Sequence, residues 1–176
     1  MDKREIRKSV RFAVAAIPHY IRRQKSDRLA LAIMLHPVVR AARAVALFSP
    51  LPDEPQISEI IELMARERVV LLPRVEGDVM RFYPFSPKAM SRGAYGIMEP
   101  MDGEPFSLCE IDVMVVPGVA FTIDGKRMGR GKGFYDKYMS QDGFRAHKIG
   151  VCYAEQILQS LPCEPHDISM DEVIYK

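Results

Sequence analysis

The chain has 176 residues, 48% of them hydrophobic, and a formal net charge of +2. This length suits one compact α/β domain, and the hydrophobic fraction lies well above that of disordered chains. A nearly neutral charge argues against a protein that coats nucleic acid. The apolar runs, such as Val113–Val116, are far shorter than the roughly 20 residues needed to span a bilayer.

The N-terminal segment and the cysteines indicate the cellular compartment. The N-terminus is charged as far as Arg11 and shows no apolar signal core, so we expect no export. The cysteines, Cys109, Cys152 and Cys163, lack zinc-type spacing, and their odd number favours a reducing compartment. We therefore expect a cytoplasmic protein without a nucleic-acid or membrane partner.

The first elements are predicted to be helices. Apolar residues recur at helical spacing between Ile6 and Ile17, and Pro18 ends this first predicted helix. A second helix is predicted over Leu29–Leu35, with Ser26-Asp27 as its N-cap.

The middle of the chain reads as short buried strands around one helix. In order, the pattern predicts a strand over Ala44–Phe48, a proline-rich loop over 49–55, a helix over Ile57–Met64, a strand over Val69–Leu72 that Pro73 ends, and a strand over Met80–Tyr83. Residues 85–105 are rich in Pro, Gly and Met and predict a long loop.

The last third alternates strands and helices. The predicted elements are a strand over Val113–Val116, a helix over 132–141, a strand over Lys148–Val151, a short helix over Glu155–Ser160 and an edge strand over Glu172–Ile174. Such alternation indicates an α/β fold. We expect a single three-layer domain over residues 1–176, with a mostly parallel central sheet flanked by helices on both faces.

The most informative stretch follows the strand Val113–Val116. Glycines at 129, 131 and 133 allow backbone N–H groups to approach phosphate oxygens, and Arg127, Arg130 and Lys132 add positive charge between them. A helix that begins near Gly133 adds its positive end at the same place. Asp136, in the first turn of that helix, suits a magnesium ion that bridges phosphates.

This stretch is neither a Walker A loop nor a dinucleotide fingerprint, because both spacings are absent. Composition alone also allows a basic, flexible surface loop. Its position after a buried strand favours a ligand site, because ligands of open α/β sheets bind beyond the carboxyl ends of the strands.

The string Gly129-Arg130-Gly131-Lys132-Gly133-Phe134-Tyr135-Asp136, preceded by Pro117–Phe121, resembles the signature of 5-formyltetrahydrofolate cyclo-ligases, also called methenyltetrahydrofolate synthetases. Further similarities follow in the same order along nearly the whole chain. They are the basic helix Lys3-x-x-Ile6-Arg7, a folate loop at 49–56, the motif Gly96-Ile97-x-Glu99-Pro100, and the C-terminal segments 150–156, 161–162 and His166-Asp167.

The resemblance implies an ATP-dependent ligase that closes the formyl group of 5-formyltetrahydrofolate onto N10, with release of ADP and phosphate. It implies the following sites. ATP would be held by Lys3, Arg4, Arg7, Arg127, Gly129, Arg130, Gly131, Lys132, Gly133, Phe134 and Tyr135, with Arg130 and Lys132 as catalytic residues. The folate would contact Leu51, Glu54, Gln56, Arg130, Gly131, Lys132, Gly133, Phe134 and Tyr153. Mg²⁺ would be held by Asp136 and Asp167. The partners would be the reduced folate and ATP, and the chain a monomer or weak homodimer.

The chemistry explains these residue types. A formyl oxygen leaves poorly until it is phosphorylated, and phosphoryl transfer needs positioning and charge neutralisation more than a protein nucleophile. Three positions depart from the family pattern. Thr122 stands where the family often has Asp, Phe134 stands where Tyr is common, and the family often carries an acidic residue in the loop near Gln56. Thr122 cannot supply the charge of a carboxylate, whereas an amide at Gln56 can still hydrogen-bond a pterin.

Other interpretations of the same residues stay open at this point. Lys3 and Arg7 fit the solvated side of an amphipathic helix, and Asp136 fits a helix N-terminus. Asp167 suits a turn or cap, and Tyr153 suits core packing. A non-catalytic folate- or nucleotide-binding protein is the second hypothesis. A nucleic-acid-binding module is the third, and it rests only on basic clusters without aromatic platforms.

Overall fold

The computed structural model describes residues 2–93 and 95–176. Its helices are α1 (Lys3–Ala15), α2 (His19–Leu35), α3 (Pro37–Ala41), α4 (Ser58–Ala65) and α5 (Phe134–Met139). Its strands are β1 (Ala44–Ala46), β2 (Val69–Glu76), β3 (Val79–Pro84), β4 (Met90–Arg92), β5 (Met98–Pro100), β6 (Val113–Pro117), β7 (Ala120–Phe121), β8 (Arg127–Met128), β9 (His147–Cys152) and β10 (Glu172–Tyr175).

The central sheet has six strands in the order β10-β9-β6-β1-β2-β3. All neighbouring pairs are parallel except β2 with β3, which form an antiparallel hairpin at one edge. Two small antiparallel pairs, β4–β5 and β7–β8, lie outside this sheet. The prediction of a mostly parallel central sheet is confirmed.

Helices cover both faces of the sheet, as predicted. Strand residues alternate between two apolar clusters, so that Val45 belongs to one cluster and Ala46 to the other. The first cluster takes in buried residues of α1, α2, α3 and α4, and the second takes in Tyr138 and Met139 of α5. We propose that one domain comprises the described residues, because both clusters share this sheet.

The N-terminal helices differ in how well the sequence predicted them. Helix α1 is confirmed and begins with a capping box, in which Asp2 accepts from the backbone N–H groups of Arg4 and Glu5. The predicted start of α2 at Ser26-Asp27 is wrong. The helix begins after Pro18, and Ser26 is a fully buried residue within it. None of the described helices meets the length and hydropathy of a membrane-spanning segment.

Two loop predictions need correction. Pro73 does not end β2, because the strand pairs with β1 only as far as Leu71 and then continues as a hairpin with β3. Beyond Leu71 a missing backbone N–H on the β1 side costs no ladder bond. Within the predicted loop 85–105, β4 and β5 form a second hairpin.

Candidate active site

A cavity of about 390 Å³ opens at the carboxyl ends of the central strands. Its walls come from parts of the chain that are far apart in the sequence: the first turns of α1, the loop after β1, strands β2 and β3, the β4–β5 hairpin, the end of β6, the segment that leads from β8 into α5, and residues 162–167. This is the expected place for a ligand in an open α/β sheet. One end of the cavity is basic, and the other is apolar.

The basic end is formed by residues 127–136, here called the glycine segment. Gly131 has φ of 102° and Gly133 has φ of 69°. Residues other than glycine rarely adopt such φ values, so these two glycines allow the sharp turn before α5. The turn exposes its backbone between the side chains of Arg130 and Lys132, which also line the cavity.

Arg127 is the most buried charged side chain of this end, with 3% of its side chain exposed. Its Nη2 lies 3.3 Å from Asp136 Oδ2, and its guanidinium lies 5.3 Å from the centre of the Tyr135 ring. Burial lowers the pKa of Arg127, while the charge of Asp136 opposes that change. Its Nε has no hydrogen-bond partner among the described residues. This buried N–H therefore lacks an acceptor among them, which carries a free-energy cost.

The first turns of α1 complete the basic end. Lys3 Nζ lies 3.0 Å from both Glu164 and Asp167. Arg7 Nε donates to the carbonyl of Gly129 over 2.8 Å, which ties α1 to the glycine segment. Two helix residues four positions apart point to the same side, so one turn of α1 places both cations at the cavity.

The carboxylates at this end already have partners. Asp136 Oδ1 accepts from the backbone N–H of Ile168, and its Oδ2 faces Arg127. Asp167 Oδ2 accepts from Lys3 and from the Glu164 N–H. The pKa of Asp167 is lowered, because these hydrogen bonds and the charge of Lys3 outweigh its partial burial.

The apolar end lies between Leu51, Pro73, Met80 and the hairpin β4–β5. The rings of Tyr95, on the hairpin, and Phe134, on the glycine segment, meet edge to face with centroids 6.3 Å apart. This end offers flat apolar walls and a few polar groups, as small-molecule sites do.

Glu54 and Arg130 connect the two ends. Glu54 Oε1 accepts from Arg130 Nε at 3.1 Å and Nη2 at 2.9 Å, while Oε2 accepts from the Leu51 N–H. Arg130 Nη2 also lies 2.5 Å from Asp53. Burial raises the pKa of Glu54, although the Leu51 N–H and the charge of Arg130 oppose the change.

The sequence matches the 5-formyltetrahydrofolate cyclo-ligase family over residues 1–176. The chain belongs to this family. It is 25% identical to the 5-formyltetrahydrofolate cyclo-ligase of Mus musculus, over 99% of this chain and 93% of that protein. It is 30% identical to the Escherichia coli protein of the same name, over 86% of this chain and 87% of that protein. The structure of Aquifex aeolicus 5,10-methenyltetrahydrofolate synthetase superimposes with a TM-score of 0.89 at 33% identity, and the match covers 99% of this chain and 90% of that chain.

Most residues that the cyclo-ligase resemblance predicted lie together at the cavity. Its walls include Lys3, Arg7, Leu51, Glu54, Arg127, Gly129, Arg130, Gly131, Lys132, Gly133, Phe134, Tyr135, Asp136 and Asp167. The residues predicted to bind the nucleotide and those predicted to bind the folate therefore line one continuous cavity. The ligand that each residue contacts stays a prediction.

Three predicted contacts do not lie on the cavity walls. Arg4 is exposed on the outer side of α1. Gln56 turns its side chain back onto its own loop, where Nε2 donates to the carbonyls of Leu51 and Glu54. Tyr153 is fully buried behind the loop, and its hydroxyl bonds Ser26 and the Glu54 carbonyl. Gln56 and Tyr153 thus support the loop from within.

The departure at Thr122 has a local structural role. Thr122 is buried, and its Oγ1 accepts from the Lys126 N–H over 3.1 Å in the turn that joins β7 and β8. A hydroxyl therefore orders the turn that precedes the glycine segment without a carboxylate. Thr122 does not line the cavity.

Several cavity residues were missed by the sequence interpretation. Tyr95, Ile97 and Glu99 come from the β4–β5 hairpin, and Pro73 and Val75 come from β2. The available signal was the motif Gly96-Ile97-x-Glu99-Pro100, which matched the family in a region that reads as a loop. Pro73 and Val75 gave no signal, because they looked like the end of a strand.

Proposed function

We propose that the chain catalyses the ATP-dependent cyclisation of 5-formyltetrahydrofolate to 5,10-methenyltetrahydrofolate, with release of ADP and phosphate. The observation that carries this proposal is the coincidence of a whole-chain family match with one cavity that has a basic, glycine-lined end and an apolar end. The first end suits a triphosphate, and the second suits a pterin ring.

The reaction needs two bond exchanges. The formyl oxygen attacks the γ-phosphorus of ATP, so that ADP leaves and the formyl group becomes an imidate-like phosphate. N10 then attacks the formyl carbon, phosphate leaves with the former formyl oxygen, and the proton of N10 is lost to solvent. No protein nucleophile is required, because the oxygen and the nitrogen of the substrate form the new bonds.

We assign the charge-neutralising roles to the glycine segment. Lys132 and Arg130 would face the transferred phosphoryl group, and the backbone N–H groups around Gly131 would hold its oxygens. Arg127, Lys3 and Arg7 would hold the remaining phosphates. Donors fixed by a folded turn need little rearrangement when charge develops on the phosphate.

The folate would lie in the apolar end. Its pterin would stack between Tyr95, Phe134 and the side chains of Leu51 and Met80, and Glu54 would accept from the pterin edge. Flat aromatic and aliphatic walls favour such a ring, and a buried carboxylate fixes its orientation. Glu54 would then share its acceptor capacity between Arg130 and the substrate.

Magnesium is the expected companion of the nucleotide, and Asp136 and Asp167 would hold it. Carboxylate oxygens are the donors that Mg²⁺ prefers, and Asp167 forms a group with Glu164 and His166 whose donor atoms lie within 4.8 Å of one another. Lys3 and Arg127 pair with these aspartates in the structure. The metal would neutralise phosphate charge when bound.

The test is a reconstituted assay. Purified protein with Mg-ATP and 5-formyltetrahydrofolate should generate methenyltetrahydrofolate absorbance, with one ADP formed per product. Omission of ATP, or its replacement by a non-hydrolysable analogue, should abolish the signal. Folded protein that binds both ligands in a calorimeter but forms no ADP would instead support a non-catalytic binding protein, and the proposal would fail.

The state of the protein in the cell is a separate proposal. We infer a cytoplasmic monomer or weak homodimer, whose partners are the two small substrates. Light scattering coupled to size-exclusion chromatography tests the oligomeric part, and a stable higher oligomer would contradict it.

A further inference from the structure

Arg130 is held from two sides. Its Nε and Nη2 donate to Glu54 on the cavity wall, and its Nη2 also donates to Asp53 over 2.5 Å. Asp53 itself does not line the cavity. It lines a small crevice behind the cavity, between α1 and the loop after β6, and Arg130 lies between the two spaces.

These contacts use up one part of the guanidinium. The group has five N–H donors in a rigid planar fork. The N–H of Nε and the two N–H bonds of Nη2 face Glu54 and Asp53, whereas Nη1 forms no hydrogen bond with any residue that the structure describes. Because the fork is planar, two separate acceptors along its Nε–Nη2 edge also fix the direction of Nη1, whereas a single acceptor oxygen leaves the plane free to turn about that oxygen. Nη1 is the part that Arg130 has left for a ligand.

Asp53 is suited to hold the fork without touching a substrate. About 36% of its side chain is exposed, so Asp53 is not a core residue. Partial burial alone would raise the pKa of Asp53, yet the hydrogen bond and charge of Arg130 lower it below its ordinary value. The carboxylate therefore stays ionised near neutral pH, and the pair persists under assay conditions.

We propose that Asp53 is a positioning residue that orients Arg130 so that its Nη1 faces the reacting phosphoryl group. The inference rests on the proposed cyclo-ligase function and adds to it a residue that is absent from the predicted site residues and from the cavity wall. Glu54 alone leaves the guanidinium free to swing about a single carboxylate oxygen. Asp53 supplies the second anchor.

The decisive variant is Asp53→Asn, which keeps the size of the side chain and removes its charge. We expect kcat to fall about tenfold, because a misplaced Arg130 would stabilise the transition state less while substrate binding changes little. The KM values for ATP and folate should each change by less than about threefold. Asp53→Glu, which can still reach Arg130, should recover more than half of the loss on a logarithmic scale.

A matched control is Asp27→Asn. Asp27 also pairs with an arginine, Arg23 Nε at 3.1 Å, on the exposed side of α2 away from the cavity. Its kcat should equal that of the wild type. If thermal unfolding shows that Asp53→Asn loses much more stability than this control, the following cycle separates positioning from general destabilisation.

The cycle combines Asp53→Asn with Arg130→Lys, measured as single turnovers with enzyme in excess. Lysine has no planar fork to orient, so the effect of Asp53→Asn should shrink to less than about twofold in that background. A tenfold loss that persists there, or a kcat of Asp53→Asn within twofold of the wild type, overturns the inference. A wild-type protein that forms no product at all instead overturns the proposed function.

Discussion

The two ends of the cavity are built in opposite ways. The basic end comes largely from ten consecutive residues, the glycine segment, to which α1 adds Lys3 and Arg7. The apolar end is assembled from β2, β3, the loop after β1 and the β4–β5 hairpin, which lie far apart in the sequence. A local segment can place charges through its own turn geometry. A wall made of distant strands depends on the whole sheet. We therefore expect substitutions at the basic end to lower kcat most, and substitutions at the apolar end to have smaller effects on substrate binding.

The largest effect is expected from Lys132→Ala at the basic end. Lys132 lines the cavity and forms no ion pair in the part of the chain that the structure describes, so its charge is available for a phosphate. We expect kcat to fall by about 10³-fold, because the positive charge neutralises the transferred group. Steady-state turnover of 5-formyltetrahydrofolate measures this.

Lys126→Ala is the control for Lys132. Lys126 pairs weakly with Asp124 at 3.6 Å and does not line the cavity. Its turnover should match the wild type, and both variants should unfold at the wild-type temperature. Wild-type activity in Lys132→Ala would break the assignment of the phosphate site.

Asp136→Asn tests the ion pair between Asp136 and Arg127 at the basic end. It removes the carboxylate that lies 3.3 Å from Arg127 and leaves that buried guanidinium without its counter-charge. We expect a loss of about 3 kcal/mol in the free energy of unfolding, together with at least about 100-fold lower kcat. Urea unfolding and turnover measure the two effects. Asp142→Asn, at an exposed site beyond α5, should change neither.

The contrast between the two ends also explains what the sequence could predict. Contiguous motifs such as 129–136 carry their meaning in spacing alone, so every residue of the glycine segment except Met128 was predicted as a site residue, and this segment lines the cavity. Their ligand contacts stay a prediction. Tyr153 was predicted to contact the folate from the family resemblance. Such a resemblance does not distinguish a residue that lines the cavity from one that is buried behind the cavity wall, as Tyr153 is. The buried hydrogen bond between the hydroxyls of Tyr153 and Ser26 depends on how α2 packs against the end of β9, which no local pattern reveals.

The errors in the fold have the same origin. Ser26 reads as an N-cap, yet it lies inside α2, where its side chain is fully buried and hydrogen-bonds the Tyr153 hydroxyl. Pro73 reads as a strand end, yet β2 continues because its partner changes from β1 to β3. In both cases tertiary contacts overrode a local signal.

A moderate effect is expected from Tyr95→Ala at the apolar end. Removing the ring deletes one wall of the proposed pterin pocket and its contact with Phe134. We expect the KM for folate to rise about tenfold, while the KM for ATP changes little, because stacking on a ring contributes about 1 kcal/mol. Tyr95→Phe keeps the ring and should behave as the wild type. Equal changes in both KM values would show that the two ends are not separate subsites.

The smallest effect is expected from Tyr153→Phe, behind the apolar end. The substitution removes a hydroxyl that lies 2.9 Å from Ser26 Oγ and 3.1 Å from the Glu54 carbonyl, and leaves the ring in place. The free energy of unfolding should fall by about 1 kcal/mol, the usual contribution of a buried hydrogen bond. Because Tyr153 supports the loop and does not line the cavity, the KM for folate should rise only about two- to threefold. A loss as large as that of Tyr95→Ala would mean that the hydroxyl reaches the substrate, and would return Tyr153 to the binding site.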